Sequence, residues 1–303
     1  MTMISPWRKP NPISIGNILS YYPVTQSPET TSSEILTKIK KSMHPKVMLG
    51  VIHNNEVNRL EYLRPKVDYL LKNTLIDFTY AEISEQNKIT YSLPIMVKHI
   101  LANLKLKKDM KELYVLLLSL IRNITNKTQF INTLNVTKSR LIAETQLALK
   151  HKQIYEKFFE SNCEFLLVLE SDAIFFDSSL FIPELISGIS LMQSNCILVL
   201  GGTYSLQELK LNSRNNFKYK DYMIHEIPGI HTNTTVAFLI DRQIARILIE
   251  NWPKTIYNGP VDWLIKRISE KARLENSKSL FFDPPRVING SAADYYESEI
   301  QKK

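Results

Sequence analysis

The chain has 303 residues, 44% of them hydrophobic, and a formal net charge of +8. Two cysteines are too few for a disulfide framework, no apolar run approaches the roughly 20 residues of a membrane-spanning helix, and the first residues lack the apolar core of a secretory signal. We therefore expect a soluble, cytoplasmic protein with one large core or two modest ones. The charge favours anionic partners, but the basic residues are dispersed and no nucleic-acid-binding signature occurs.

The first half of the chain predicts an irregular arm followed by a βαβ unit. Residues 1–44 are rich in proline and polar side chains, which favours an irregular N-terminal arm. The hydrophobic pattern beyond them predicts a strand at Lys46–His53, a helix at Glu56–Lys72 that is interrupted at Pro65, and a strand at Ile76–Ile83. This order is typical of a parallel sheet.

Residues 84–137 contain helical stretches without evident chemistry and predict a helical insertion. Ser139–Ser161 then predicts a strong helix with Ser139 as its N-cap. Its apolar residues, among them Tyr155 and Phe158, share one helical stripe that should face the core.

The second half resumes the alternation of strands and helices. Strands are predicted at Phe165–Leu169, Cys196–Gly202 and Thr235–Ile240, helices at Pro183–Gln193, Asp241–Trp252 and Pro260–Glu275, and one short strand in the tail. No internal repeat divides the chain. We therefore expect a single α/β domain over residues 45–303.

Two carboxylates, Glu170 and Asp172, interrupt the most apolar stretch, FLLVLESDAIFF (Phe165–Phe176). Ligands of open parallel sheets bind at the carboxyl ends of strands, and residues two apart on an extended strand point to the same side. Because two enclosed carboxylates repel each other, a divalent cation such as Mg²⁺ or Mn²⁺ would stabilise the pair and hold a diphosphate. The alternative is a pair of solvated turn residues.

The stretch CEFLLVLESDAIF resembles the metal-binding strand of GT-A sugar-nucleotide glycosyltransferases. The motifs around it are similar in order to those of the lipooligosaccharide glycosyltransferase family 25, which includes collagen galactosyltransferase domains. The helix AETQLALKHKQIYEKF offers Glu144 and His151 at the family's spacing, and HTNTTVAFLIDRQIARIL, GPVDWLIKR and DPPRVINGSAADYYESEI follow. The family's usual Asp-Asp is here Glu170-Ser171-Asp172, and its helix Gly, Cys and Ser are replaced by Gln146, Leu147 and Lys150.

This resemblance covers roughly residues 139–300 and implies a GT-A, Rossmann-like fold, with a mostly parallel sheet flanked by helices and a helical insertion. It also implies a metal-dependent glycosyltransferase with Mn²⁺ or Mg²⁺ as cofactor. Such an enzyme moves a sugar, with inversion, from a nucleotide-sugar donor to a hydroxyl of a glycan or glycolipid acceptor. Lipooligosaccharide, capsule or another surface polysaccharide would be the acceptor, and peripheral association with the inner face of the membrane would suit the basic surface.

The resemblance also suggests roles for the metal and the chemistry. Asp172 and Glu170 are expected to ligate the metal, with Glu170 alternatively holding ribose hydroxyls, and His231 is either a third ligand or bonded to a loop carbonyl. Asp262 is the expected general base, which takes the acceptor's proton, or else a helix N-terminal charge. Trp263 either stacks on the acceptor sugar or fills the core.

Donor-binding residues are expected at neighbouring positions. His53 and Asn54 end the first strand, where the nucleotide base would lie. Gly201 and Gly202 would let a ligand approach the backbone, or form an ordinary turn. Glu144 and His151 lie two helical turns apart on one face and would face the donor, or the histidine is buried and hydrogen-bonded.

Two other functions remain open. A phosphohydrolase of the haloacid dehalogenase type would need Asp as its first carboxylate, where Glu170 stands. A non-catalytic glycosyltransferase-like binding protein is the stronger alternative, because the helix motif lacks the family's Gly and Cys.

Overall fold

The computed structural model describes residues 44–84, 127–177, 180–203, 206–219, 222–253, 260–272 and 276–291, with side chains left out at 127–138, 140 and 219. The predicted arm, except for its last residue, and most of the predicted insertion lie outside the described residues. No helix within the described ranges combines the length and the hydropathy that a membrane span requires.

The described residues form eleven strands in two sheets. In chain order the strands are β1 (Lys46–Ile52), β2 (Asp77–Ile83), β3 (Phe165–Glu170), β4 (Ala173–Phe175), β5 (Cys196–Val199), β6 (Gly201–Gly202), β7 (Asn215–Tyr219), β8 (Tyr222–Pro228), β9 (Ala237–Asp241), β10 (Lys278–Asp283) and β11 (Val287–Asn289). The large sheet has the order β2-β1-β3-β9-β5-β10-β8-β7, and β4-β11-β6 form a small second sheet.

The large sheet is mixed. Its β1–β2, β1–β3 and β5–β10 pairs are parallel, whereas β9 is antiparallel to both of its neighbours and β8 is antiparallel to β10 and β7. Six of the eight strands therefore run in one direction, and β8 and β9 run in the other. The α/β prediction is confirmed, and the architecture is compatible with a Rossmann-like fold.

Helices cover both faces of the large sheet. They are α1 (Val57–Leu71), α2 (Lys127–Glu160), α3 (Phe181–Leu191), α4 (Arg242–Glu250) and α5 (Val261–Lys271). Alternate residues of β3 serve the two cores: Leu166 and Val168 pack on the side of α2, α4 and α5, and Leu167 and Leu169 on the side of α1 and α3. A strand buried on both faces needs apolar side chains throughout, which explains the unbroken run before Glu170.

Two helix predictions are wrong in detail. Helix α1 continues through Pro65, because its buried residues keep helical spacing on both sides and the proline lies on the exposed side. Helix α2 begins at Lys127, so Ser139 lies inside it rather than capping it, and the last part of the predicted insertion belongs to this helix.

The predicted strand Cys196–Gly202 divides at Leu200 between β5 in the large sheet and β6 in the small one. Strands β1, β3, β5 and β10 share one direction, so their ends meet at one edge of the large sheet. We call this the C-terminal edge and define it by residues 53, 170, 200 and 283. Antiparallel β9 begins there, since Ala237 pairs with Leu169, and the small sheet extends from the same place.

Candidate functional site

The acidic motif lies at the C-terminal edge, but it does not continue as a strand. Glu170 ends β3, and Ser171 and Asp172 form a turn before β4. The Gly290 N–H donates to the Asp172 carbonyl at 2.8 Å and closes this turn against the end of β11. The expectation of an extended backbone at Asp172 is therefore wrong, although the strand does end at the two carboxylates.

Asp172 is enclosed and close to Glu170. Its exposed fraction is 7%, and burial, followed by the negative charge of Glu170, raises its pKa to about 6. Its Oδ1 is buried without a hydrogen-bond partner among the described residues. The solvated-turn alternative is thus wrong for this residue, since an enclosed carboxylate oxygen without a partner is costly unless a ligand satisfies it.

Two residues that the sequence analysis missed support Asp172. The Ser291 hydroxyl is hydrogen-bonded to its side chain, and the Arg59 guanidinium also lowers its pKa through opposite charge. Arg59 lies in the first turn of α1, and its Nη2 donates to Ser291 Oγ at 3.3 Å. Three segments that are far apart in the chain therefore meet at this carboxylate.

Glu170 is held by a buried histidine. His151 Nε2 lies 2.9 Å from Glu170 Oε1, and His151 Nδ1 lies 3.1 Å from the Tyr155 hydroxyl. The imidazole is fully buried and stacks on Phe238, with 5.9 Å between ring centroids. Burial and the Glu170 charge raise the pKa of Tyr155 well above its usual range, so the phenol keeps its proton. A phenol that donates to Nδ1 leaves the imidazole proton on Nε2, from which it is donated to Glu170.

Asp262 belongs to the same electrostatic cluster. It lies in the first turn of α5, and its Oδ1 accepts a hydrogen bond from the Trp263 N–H at 2.9 Å. Burial, together with the negative charges of Glu170 and Glu144, raises its pKa to about 6. Glu144 is itself 7% exposed. Glu170 is thus within electrostatic reach of both Asp172 and Asp262, and Glu144 is within reach of Asp262.

Trp263 does not fill the core. Its exposed fraction is 61%, whereas Val261, Leu264 and Ile265 of the same helix are buried. An exposed tryptophan directly after the candidate base presents a large flat apolar surface to a ligand.

The polar groups at the end of β1 are hydrogen-bonded to other residues of the protein. His53 Nε2 pairs with Glu82 Oε1, and its Nδ1 accepts from the Asn55 N–H at 3.0 Å. Lys150 is 1% exposed and donates to the His53 carbonyl at 2.5 Å and to Asn54 Oδ1. One of the residues that departs from the family motif thus ties α2 to the loop after β1.

Gly201 and Gly202 have packing reasons for their missing side chains. A Cβ on Gly201 would lie 2.4 Å from Val236 Cγ1, and a Cβ on Gly202 would lie 2.5 Å from Asn233 Nδ2. Both distances are far below normal contact, so these glycines let the segment before β9 lie against β6. They form a strand rather than a turn.

His231 does not join the acidic motif. Its Nε2 is hydrogen-bonded to the Pro228 carbonyl at 3.1 Å, and its N–H donates to Ser279 Oγ at 2.7 Å. Antiparallel β8 ends beside Lys278, where β10 begins, so the loop with His231 starts at the opposite edge of the sheet. Within the described ranges, no group of three or more His, Cys, Asp or Glu side chains could hold a metal ion. The predicted three-ligand set is therefore wrong, and the loop-carbonyl alternative is correct.

Glu170 and Asp172 still fit a divalent cation. Mg²⁺ is usually bound through one or two carboxylates, with substrate phosphates and waters completing the octahedron. The buried Asp172 Oδ1 without a protein partner suits such a ligand. No known family model matches this chain, and no significant match is found among curated protein sequences. The resemblance to family 25 stays a prediction.

Proposed function

We propose that this protein is a metal-dependent glycosyltransferase that moves a sugar from a nucleotide-sugar donor to a hydroxyl of a glycan or glycolipid acceptor. The observation that carries the proposal is the set of carboxylates at the C-terminal edge: Glu144, Glu170, Asp172 and Asp262. Two of them, Asp172 and Asp262, have pKa values raised to about 6 by burial and by the neighbouring negative charges. Such clustering is typical of sites that bind cations or transfer protons.

Asp262 has the properties of a general base. With a pKa of about 6, it is ionised at neutral pH and more basic than an ordinary aspartate, which favours proton removal from an acceptor hydroxyl. Its neighbour Trp263 is exposed and offers an aromatic surface for a sugar ring. In inverting transfer, the acceptor oxygen attacks the anomeric carbon, the bond from this carbon to the diphosphate oxygen breaks, and Asp262 takes the proton of the acceptor hydroxyl.

Glu170 and Asp172 would hold Mn²⁺ or Mg²⁺, which when bound stabilises the negative charge of the leaving diphosphate. His151 and Tyr155 orient Glu170 through the 2.9 Å and 3.1 Å contacts. Arg59 adds positive charge beside Asp172, which partly offsets the repulsion between the carboxylates and an incoming diphosphate. The net charge of +8 suits an anionic glycolipid acceptor.

The proposal is tested by thermal stabilisation of the full chain with a panel of UDP-, GDP- and CMP-sugars, with and without Mn²⁺. A ligand that binds only the native state raises the melting temperature by mass action. We expect stabilisation by one nucleotide class that requires metal and is lost in Asp172→Asn. Asp77→Asn, an exposed aspartate at the start of β2, is the matched control and should behave as the wild type. Absence of any shift would favour the non-catalytic binding protein.

A further inference from the structure

Two threonines lie beside the small sheet and the start of β9: Thr203 directly follows β6, and Thr234 comes shortly before β9. Thr203 Oγ1 and Thr234 Oγ1 are both buried and have no hydrogen-bond partner among the described residues. They flank one amide side chain, because the Thr203 N–H donates to Asn233 Oδ1 at 3.3 Å. Buried hydroxyls are nearly always hydrogen-bonded, so two exceptions on residues that are linked through Asn233 are candidates for binding a ligand.

Thr234 also has an unusual backbone conformation. Its φ is +81°, and it is the one β-branched residue among the described non-glycine residues with positive φ. Branching at Cβ makes this conformation costly. Residues held in such conformations concentrate at sites that bind ligands, where the surrounding structure compensates for the strain.

These residues lie at the C-terminal edge. The Glu170 N–H donates to the Val236 carbonyl at 2.9 Å, which places the segment before β9 against the acidic motif. The glycine at 202 leaves room for the Asn233 amide, whose Nδ2 a side chain there would overlap. We call Thr203, Asn233 and Thr234 the hydroxyl cradle.

We propose that the hydroxyl cradle binds the hydroxyl groups of the transferred sugar, an assignment that rests on the proposed function. A threonine hydroxyl offers one donor and two acceptor positions, and an amide offers both kinds, which matches sugar hydroxyls that donate and accept. None of the three side chains is charged, which favours a neutral sugar ring over a phosphate. The carboxylates beside the cradle remain for the metal and the diphosphate.

The test compares nucleotide sugars with the bare nucleoside diphosphates. Binding of UDP-glucose, UDP-galactose, UDP-N-acetylglucosamine and GDP-mannose, and of UDP and GDP, is measured by calorimetry with Mn²⁺ present. The variants Thr203→Val and Thr234→Val remove each hydroxyl while nearly keeping the side-chain shape. We expect each to weaken nucleotide-sugar binding by about ten-fold and to leave diphosphate binding unchanged, since only the sugar loses a hydrogen bond.

Two kinds of control distinguish recognition from folding. Thr203→Ser and Thr234→Ser keep the hydroxyl and should retain most of the nucleotide-sugar affinity. Thr79→Val changes an exposed threonine on β2 and should change neither affinity. Equal losses of sugar-linked and bare diphosphate binding, or no loss in either valine variant, would overturn the cradle. The latter would show that its hydroxyls bind only water.

These measurements distinguish a wrong assignment of the cradle from a wrong proposed function. If donor binding is unchanged and the KM for the acceptor rises instead, the cradle holds the acceptor and the assignment to the transferred sugar is overturned. If the wild type binds no nucleotide, the transferase proposal fails. Saturation-transfer NMR with free glucose, galactose, N-acetylglucosamine and mannose then decides. If a free sugar binds and Thr203→Val abolishes this binding, the cradle is a sugar-binding site in a protein that is not a transferase. If no free sugar binds, both the cradle and the transferase proposal are rejected.

Discussion

Two strand ends at the same edge of the large sheet differ in how their polar groups are satisfied. At the end of β1, Lys150 and Glu82 satisfy the polar groups of His53 and Asn54. Just after the end of β3, Asp172 Oδ1 has no hydrogen-bond partner among the described residues. The sequence predicted ligand-binding residues at both ends, nucleotide-binding ones after β1 and metal-binding ones after β3. For this reason our proposal places the metal and the chemistry at the end of β3, where a polar group is left without a protein partner among the described residues.

The largest expected effect concerns the β3 side of this comparison. Asp262→Asn removes the proposed base without changing the size of the side chain, so sugar transfer should fall by about 10³-fold, while donor binding is retained. Initial rates and calorimetric donor affinity are the two measurements. A transfer rate within a few-fold of the wild type would remove Asp262 from the chemistry.

A substitution at the end of β1 should lower the stability of the protein rather than the rate of sugar transfer. Lys150→Met keeps the aliphatic stem but leaves the buried His53 carbonyl without its donor, so the free energy of unfolding should fall by about 2 kcal/mol. Urea denaturation measures this change. Lys152→Met on the same helix, whose ion pair with Glu156 is partly exposed, should cost less than about 0.5 kcal/mol. Similar losses in both variants would mean that the buried contact is unimportant.

Glu184 adds to this comparison a carboxylate that has an ion-pair partner and whose pKa is nevertheless raised. Glu184 binds Arg286 at 2.9 Å, yet burial outweighs this pairing and raises its pKa to about 7 from an ordinary value of 4.5. The folded protein then binds more protons than the unfolded chain between these values. The contribution of Glu184 to stability is complete below about pH 4.5 and is lost as the pH rises through 7.

The difference in unfolding free energy between the wild type and Glu184→Gln should therefore fall by about 2 kcal/mol between pH 5 and pH 8. Denaturant titrations at several pH values measure it. Glu61→Gln, at an exposed position of α1, is the control for the substitution itself. A rising difference for Glu184 would show that its ion pair dominates over burial.

The smallest expected effect is at Thr234. Thr234→Gly relieves the positive φ at this position, and the gain is partly offset by the larger backbone entropy of glycine in the unfolded chain. The melting temperature should rise slightly, by an amount equivalent to about 1 kcal/mol or less, while nucleotide-sugar affinity falls because the hydroxyl is lost. A lower melting temperature would show that the backbone there is not strained.

Much of the fold could be predicted because β1, β3 and β9 are nearly unbroken apolar runs. The strands β7 and β8 were missed, since NNFKY and YMIHEIP mix polar and apolar residues without a clear period. A shared site for Glu170 and Asp262 could be predicted, because Glu170 ends a strand and the order of the motifs resembles that of family 25. Arg59 and Ser291 could not be predicted, because their contact with Asp172 joins distant parts of the chain. His231 was misplaced because the direction of β8 cannot be inferred from composition.

The reversed strand β9 also has a consequence for biosynthesis. It pairs on one side with β3 and on the other with β5, so the middle of the sheet is assembled only after residue 241 has left the ribosome. Until then, two of the most apolar strands in the protein have open hydrogen-bonding edges, which are prone to aggregation. The nascent chain therefore depends on a late segment to close its core, and a chaperone that covers these edges would serve it most before β9 arrives.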